Sequence, residues 1–174
     1  MSGHSAGSAP DKVGDRGSLP NMKQGELVPD FSLPDQTGQT RTLTELLTNG
    51  PIVLFFYPAA FTPGCTAEAC HFRDLAAEFA EVGATRVGIS ADAVAKQAEF
   101  AAAQSFDYPL LSDEDGAVAT AFGVKRGLLA KLSPVKRATF VIGTDRKVLE
   151  TFSSELRFEA HADKALEYLR AHRA

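Results

Sequence analysis

The sequence predicts one α/β domain built on a mixed sheet, and three observations lead to this fold class. Segments typical of strands and of helices alternate along the chain from about residue 28, which indicates a layered α/β architecture. The run IVLFFY at 52–57 is continuously apolar and ends at Pro58, as expected for a central strand that is covered on both faces. The length of 174 residues suits a single domain.

The first residues differ in composition from the rest of the chain. Residues 1–22 are rich in Gly, Ser and Pro and lack the apolar segment of a secretory signal. We expect a flexible tail over residues 1–24 and one folded domain over residues 25–174. No apolar run approaches the roughly 18 residues of a membrane span, so we expect a cytoplasmic protein with no membrane partner.

The predicted elements begin with an N-terminal β-hairpin. Turn-forming residues at 35–38 separate two short extended runs within 30–43, and a short helical turn follows at 44–47. After the central strand, apolar residues at helical spacing predict one helix over 66–83. The remaining elements are predicted as strand 85–90, helix 93–105, strand 108–112, helix 116–123, strands 137–143 and 147–152, and helix 160–172.

Composition and charge limit the possible functions. Hydrophobic residues make up 44% and charged residues 23%, so a core can form without metal or disulfide cross-links. Because the core does not depend on cross-links, the two cysteines are not needed as scaffolding, and in a reducing compartment such a pair is more often catalytic or metal-binding. The net charge of −4 argues against a nucleic-acid surface.

Both cysteines lie in the segment FTPGCTAEAC at 61–70. Cys65 is predicted to lie in the first turn of a helix, and Pro63 favours a helix start there because proline has no N–H to leave unpaired. A nucleophilic cysteine reacts as its thiolate, and helix N-termini and nearby Arg or Lys lower the pKa of cysteines from about 8.5. Cys65 is therefore the candidate nucleophile.

The residues around Cys65 resemble the peroxiredoxin family. Pro58, Thr62 and Cys65 fit the pattern P-x-x-x-T-x-x-C directly after a buried strand. A second cysteine five residues later, Cys70, is similar to the bacterioferritin comigratory protein, or peroxiredoxin Q, subfamily. The likeness extends from about Gly25 through the segments VPDFSL (28–33), IVLFFYP (52–58), TPGCTAEACHFRD (62–74), VGIS (87–90), PLLSDEDG (109–116) and RATFVI (137–142).

This resemblance implies a thioredoxin-like fold and a thiol peroxidase that uses no metal or other cofactor. Cys65 matches the peroxidatic cysteine, which attacks the O–O bond of a hydroperoxide and becomes a sulfenic acid. Thr62 matches the residue whose hydroxyl bonds to the reacting groups, and Pro58 matches the residue that shields the pocket. Arg137 matches the arginine that donates to the thiolate and to the peroxide oxygens.

Two further positions follow from the same resemblance. Glu68 matches the acidic or amide position that orients the arginine, and Cys70 matches the resolving cysteine that condenses with the sulfenic acid. The implied partners are hydrogen peroxide or an organic hydroperoxide and thioredoxin or a similar thiol reductant. Monomers and homodimers both fit the resemblance.

Each of these positions has a plainer interpretation. Cys65 is then a small buried residue, Cys70 a structural thiol, and Arg137 a surface charge before a strand. Glu68 is then an ordinary acid favoured by the helix dipole. We interpret His71 as a solvated helix residue, because at 100° per residue it points about 240° round the helix from Cys65. A zinc site of Cys65, Cys70 and His71 is disfavoured, because four ligands at recognised spacing are missing.

Two segments depart from the family pattern or remain open. Residues 59–61 are Ala-Ala-Phe, where relatives often carry charged or polar residues at the pocket rim. The segment 124–137 is interpreted either as a solvated loop or as a dock for an acidic reductant such as thioredoxin. Its basic residues are Lys125, Arg126, Lys131, Lys136 and Arg137.

Two other functions compete with the peroxidase. A thioredoxin-like dithiol–disulfide oxidoreductase shares the fold but ordinarily needs C-x-x-C, whereas this chain has C-x-x-x-x-C. A non-enzymatic binding domain with one structural disulfide requires an inert bridge. Peroxide consumption by the parent and by Cys65→Ser separates the three.

The spacing of the cysteines has a geometric consequence. Residues five apart in a regular helix have Cα atoms roughly 8 to 9 Å apart, whereas a disulfide tolerates up to about 7 Å. The apolar stripe through Ala69 and Phe72 places Cys65 on the buried side and Cys70 facing away. A bond between Cys65 and Cys70 therefore requires local unfolding of the helix.

Overall fold

The computed structural model describes residues 22–127 and 133–173. Its strands are β1 (Ser32–Pro34), β2 (Thr40–Thr42), β3 (Ile52–Phe56), β4 (Thr85–Ser90), β5 (Leu110–Ser112), β6 (Ala138–Ile142) and β7 (Val148–Ser153). Its helices are α1 (Leu43–Leu46), α2 (Pro63–Asp74), α3 (Ala76–Glu81), α4 (Val94–Gln104), α5 (Ala117–Ala121) and α6 (Ala160–Ala171).

A five-stranded mixed sheet in the order β5-β4-β3-β6-β7 forms the centre of the fold. β3 pairs in parallel with β4 and antiparallel with β6, and all five residues of β3 are buried, so the predicted central strand is confirmed. β1 and β2 pair antiparallel as the predicted hairpin. None of the helices in the described ranges is long and apolar enough to cross a membrane.

Successive residues of β3 point to opposite faces of the sheet and enter two separate cores. Leu54 and Phe56 belong to one core, which residues of α1 and α5 complete. Val53 and Phe55 belong to the other, which residues of α2, α3, α4 and α6 complete. Helices therefore cover both faces, as the predicted thioredoxin-like arrangement requires.

The predicted single helix over 66–83 is wrong, because the segment forms two helices, α2 and α3. The backbone leaves helical geometry at Leu75, with φ −95° and ψ 21°. The Nη1 atom of Arg86 donates to the carbonyl of Phe72 at 2.8 Å and lies 3.4 Å from that of Arg73, so a side chain bonds carbonyls at the end of α2. The break keeps the apolar stripe in phase, since Phe72 and Phe79 are both fully buried.

Two predictions concern segments that are described only in part. Residues 1–21 of the flexible tail predicted for residues 1–24 lie outside the described residues. Met22, the first described residue, is buried, and its N–H donates to Phe122 O at 3.1 Å. The loop at 124–137 is described except for residues 128–132, which include Lys131. Lys125 and Lys136 are exposed, in keeping with a solvated loop.

The helix that carries both cysteines is fastened to the sheet by aromatic contacts. The ring of Phe55 in β3 stacks on that of Phe72 in α2, with centroids 4.1 Å apart and planes 6° apart. The buried hydroxyl of Tyr108 donates to the carbonyl of Ala69 at 2.6 Å. These contacts fix where α2 lies and therefore where its first turn begins.

We expect Phe55→Ala to lower the free energy of unfolding by about 3 to 5 kcal/mol, because it removes a fully buried ring and leaves a cavity. Urea unfolding monitored by far-UV circular dichroism measures the change. Leu156→Ala is the control, since Leu156 is 83% exposed and its loss changes stability by no more than about 0.5 kcal/mol. A loss below about 1 kcal/mol for Phe55→Ala would contradict this packing account.

Candidate active site

The connection from β3 to α2 places Cys65 at the start of a helix, as predicted. Thr62 is the extended N-cap residue, Pro63 is the first helical residue and Cys65 is the third. The first backbone bond of the helix runs from Thr66 N to Thr62 O at 2.9 Å. Cys65 is fully buried, in the turn whose N–H groups give a helix N-terminus its positive field.

The guanidinium of Arg137 contacts the sulfur of Cys65. Arg137 directly precedes β6 and is buried, with Nη1 and Nη2 lying 3.5 and 3.4 Å from Cys65 Sγ. The ring of Phe158 packs against the same guanidinium, 4.9 Å from its Cζ to the ring centroid. Two N–H donors and a full positive charge therefore face one sulfur.

Gly64 allows this close approach. A Cβ at that position would lie 2.6 Å from Cε1 of Phe158 and 3.2 Å from Nη2 of Arg137. Any larger residue would push the ring or the guanidinium away from its present place. The sequence predicted nothing for Phe158, and only the packing shows why residue 64 has no side chain.

Glu68 lies one turn beyond Cys65 and shares the same arginine. Its Oε1 is 3.2 Å from Arg137 Nη1, which is also one of the two atoms on the sulfur. Burial raises the pKa of Glu68 to about 8, and the charge of Arg137 opposes the rise. The buried guanidinium of Arg137 therefore contacts both the Cys65 sulfur and the Glu68 carboxyl group.

The side chains of the other predicted residues make no hydrogen bond to Cys65, Glu68 or Arg137 within the described ranges. Pro58 is half-buried just beyond the end of β3. Thr62 is exposed, and its hydroxyl donates to Ala59 O at 2.8 Å. Cys70 is half-buried on the same helix as Cys65, with Sγ 3.4 Å from Oε1 of Gln104, and both cysteines are free thiols.

Two histidines differ from what the sequence suggested. His71 is only partly exposed and lies 2.7 Å from Asp163, so it pairs with α6 rather than standing in solvent. His161, which the sequence analysis did not single out, is fully buried with Nε2 3.5 Å from Glu68 Oε2. The signal available for His161 was its place on the apolar face of α6, beside Ala162 and Ala165.

In the two described ranges, no group of three or more His, Cys, Asp and Glu side chains is placed to hold a metal ion. The cluster itself holds one sulfur nucleophile, one directed cation and one buried acid.

Comparison with known proteins identifies the family. The AhpC/TSA family matches residues 24–151. A putative peroxiredoxin of Mycobacterium tuberculosis is 70% identical over 153 residues, covering 88% of this chain and 99% of that protein. The crystal structure of the peroxidoxin BcpB of M. tuberculosis matches with a TM-score of 0.85 and 69% identity, covering 88% of this chain and 100% of that one. The structure of the bacterioferritin comigratory protein of Xanthomonas campestris matches with a TM-score of 0.75 and 32% identity, covering 83% of this chain and 92% of that one.

These relatives support a thiol peroxidase over a dithiol–disulfide oxidoreductase. The central mixed sheet with helices on both faces is the thioredoxin-like fold of the matched structures. The chain therefore belongs to the AhpC/TSA family and is a peroxiredoxin of the bacterioferritin comigratory protein and peroxiredoxin Q subfamily.

Proposed function

We propose that Cys65 is the peroxidatic cysteine of this thiol peroxidase and that Arg137 activates it. The observation that carries the proposal is the pair of guanidinium nitrogens at 3.5 and 3.4 Å from the buried Cys65 sulfur. In the reaction, the thiolate sulfur attacks one oxygen of the hydroperoxide, an S–O bond forms and the O–O bond breaks. The other oxygen takes up a proton from solvent and leaves as water or an alcohol, and the transferred hydroxyl makes Cys65 a sulfenic acid.

Three neighbours assist this step. Arg137 also donates to the peroxide oxygens, where negative charge develops as the O–O bond breaks. The hydroxyl of Thr62 donates a hydrogen bond to Ala59 O, so the Thr62 oxygen is free to accept a hydrogen bond from the peroxide hydroxyl. Glu68 holds Arg137 Nη1 in place, and Pro58 screens the sulfur from solvent.

We propose Cys70 as the resolving cysteine. Its thiolate attacks the Cys65 sulfur, an S–S bond forms, the S–O bond breaks, and the leaving hydroxyl takes up a proton from solvent and departs as water. Since α2 is continuous from Pro63 to Asp74, this step requires the helix to unwind between the two cysteines. Burial raises the pKa of the Cys70 thiol, with the charge of Arg73 opposing the rise, so unwinding would also make Cys70 a better nucleophile by exposing it.

Contacts along α2 suggest where this unwinding stops. Beyond Cys70, the carbonyl of Phe72 accepts from Arg86, and Arg73 donates to Gln104 O at 2.7 Å. The ring of Phe72 is also fixed in the core by Phe55. The first two turns are held by Arg137, through Cys65 and Glu68, and by the Tyr108 bond to Ala69 O. Oxidation changes the sulfur that Arg137 contacts, so these turns are the part proposed to fray.

A peroxide and a thiol reductant are the partners of a peroxiredoxin, and their identities are proposals here. The X. campestris relative has alkyl peroxide reduction activity, and the 44% exposed Phe61 beside Thr62 gives this chain an apolar rim suited to organic hydroperoxides as well as hydrogen peroxide. We propose thioredoxin or a similar dithiol as the reductant. A cytoplasmic location and one domain over residues 25–174 complete the proposal.

Cys65→Ser is expected to abolish peroxide consumption while the fold survives, because serine cannot supply the thiolate. Cys70→Ser is expected to keep one turnover, with Cys65 trapped as a sulfenic acid that a dimedone adduct reveals by mass spectrometry. The matched pair separates the two roles. Turnover in Cys65→Ser close to that of the parent protein would refute the assignment.

Arg137→Lys is expected to slow the peroxide step by roughly 10-fold or more, because lysine keeps the charge but cannot direct two N–H bonds at one sulfur. Rapid-mixing single-turnover kinetics measure the step, and Lys136→Arg at the exposed neighbouring position is the control. Unchanged kinetics in Arg137→Lys would show that the observed contact has no part in the reaction.

Oxidation is expected to expose the amides of residues 65–72 by unwinding the first turns of α2. Hydrogen exchange on the reduced, oxidised and Cys70→Ser proteins measures this, and peroxide-treated Cys70→Ser should retain the protection of the reduced parent. Equal protection before and after a confirmed Cys65–Cys70 bond would contradict the coupling of the disulfide to unfolding.

A further inference from the structure

A fully buried histidine, His161, lies next to Glu68 in the candidate active site. His161 is the second residue of α6, and its Nε2 is 2.8 Å from Ser154 O and 3.5 Å from Glu68 Oε2. Its Nδ1 is 2.8 Å from the hydroxyl of Thr139 in β6. The imidazole therefore connects α6 and β6 to the acid that holds the arginine.

The hydrogen-bond partners fix the tautomer of His161. A backbone carbonyl only accepts, so Nε2 carries the hydrogen that Ser154 O receives. In the neutral ring Nδ1 then accepts from the Thr139 hydroxyl. Burial lowers the pKa of His161 to about 4, so the ring is neutral at neutral pH.

The same Nε2–H lies near an oxygen that has no other partner. Glu68 Oε2 is buried and makes no hydrogen bond within the described ranges, whereas Oε1 receives Arg137 Nη1. An unpaired buried carboxyl oxygen is costly. The Nε2–H of His161 is donated to Ser154 O and only approaches Oε2, at 3.5 Å, so the neutral imidazole gives that oxygen a weak polar contact without placing a second cation beside Arg137.

We propose that His161 is a positioning residue for the peroxide step, acting through Glu68 to hold the guanidinium of Arg137 against the Cys65 sulfur. The proposal rests on the roles proposed above for those three residues. Arg137 Nη1 contacts both Glu68 and Cys65, so a shift of the carboxylate moves the donor that the sulfur uses. Arg137 bonds one oxygen of the Glu68 carboxyl group, and His161 Nε2 lies 3.5 Å from the other.

The other charged group near this network is Glu155. Its Oε1 accepts from the backbone N–H of Arg137 at 3.2 Å and from Arg126 at 2.6 Å, so it is already paired. The alternative role for His161 is that of a space-filling ring, since it packs edge-on against Phe152 with centroids 4.9 Å apart. A test must therefore separate the N–H from the bulk of the ring.

The test is the rate at which hydrogen peroxide oxidises Cys65 in the reduced full-length protein, measured by rapid quench and mass spectrometry. His161→Leu is expected to slow this rate by about 10-fold, because the ring's polar hydrogen is lost and Glu68 is left unsupported. His161→Gln is expected to react within about 3-fold of the parent, since the amide keeps an N–H donor. Leu166→Ala, on the buried face of the same helix, is the control for loosening of α6 and should keep the parent rate.

A double-mutant cycle then tests whether the effect passes through Glu68. In a Glu68→Met background, which removes both carboxylate oxygens, adding His161→Leu is expected to change the rate by less than about 2-fold. The inference is overturned if His161→Leu slows the parent and Glu68→Met proteins by the same factor, or if His161→Gln is as slow as His161→Leu. Should Glu68→Met react too slowly to measure, the comparison of His161→Gln with His161→Leu is the deciding one. Peroxide consumption retained in Cys65→Ser would overturn the proposed function itself. If Cys65→Ser consumes no peroxide but the effects of His161→Leu and Glu68→Met are additive, only the role of His161 is overturned.

Discussion

The side chain of Arg137 links three separate segments of the chain at one buried point. Pairing of β3 with β6 sets Phe56 opposite Ala138, so the residue just before β6 lies beside the loop that leaves β3. That loop leads into the first turn of α2, and the guanidinium reaches Cys65 on that turn and Glu68 on the next. A buried arginine without partners would be strongly destabilising. The register of β3 with β6 and the start of α2 must therefore together bring Cys65 and Glu68 within reach of Arg137.

Residues close together in the sequence were predictable, whereas contacts between distant segments were only partly so. The buried strand β3 and the helix start at Cys65 followed from an apolar run, a proline and a motif, which are local signals. Arg137 was found only through family resemblance, because nothing local to it indicates a buried ion. His161 gave no usable signal, since a histidine on an apolar helix face most often simply packs.

The break at Leu75 shows why periodicity alone misplaced a helix boundary. The apolar spacing continues across it without a change of phase, so the pattern reads as one helix. What distinguishes the two helices is Arg86, fourteen residues from Phe72 in the sequence, which bonds carbonyls at the end of α2. The side chain of a neighbouring strand therefore bonds the carbonyls where the helix ends, and this contact leaves no mark on the apolar periodicity of the segment.

The continuity of α2 across both cysteines has a consequence for redox chemistry. If the disulfide forms only when helical turns are lost, the free energy of those turns becomes part of the reduction potential of the Cys65–Cys70 couple. Each 1.4 kcal/mol by which the helix favours the reduced state raises that potential by about 30 mV for a two-electron couple. Residues that never touch sulfur, such as Tyr108 on Ala69 O, thereby help to set how strongly oxidising the disulfide is and how readily a dithiol reduces it.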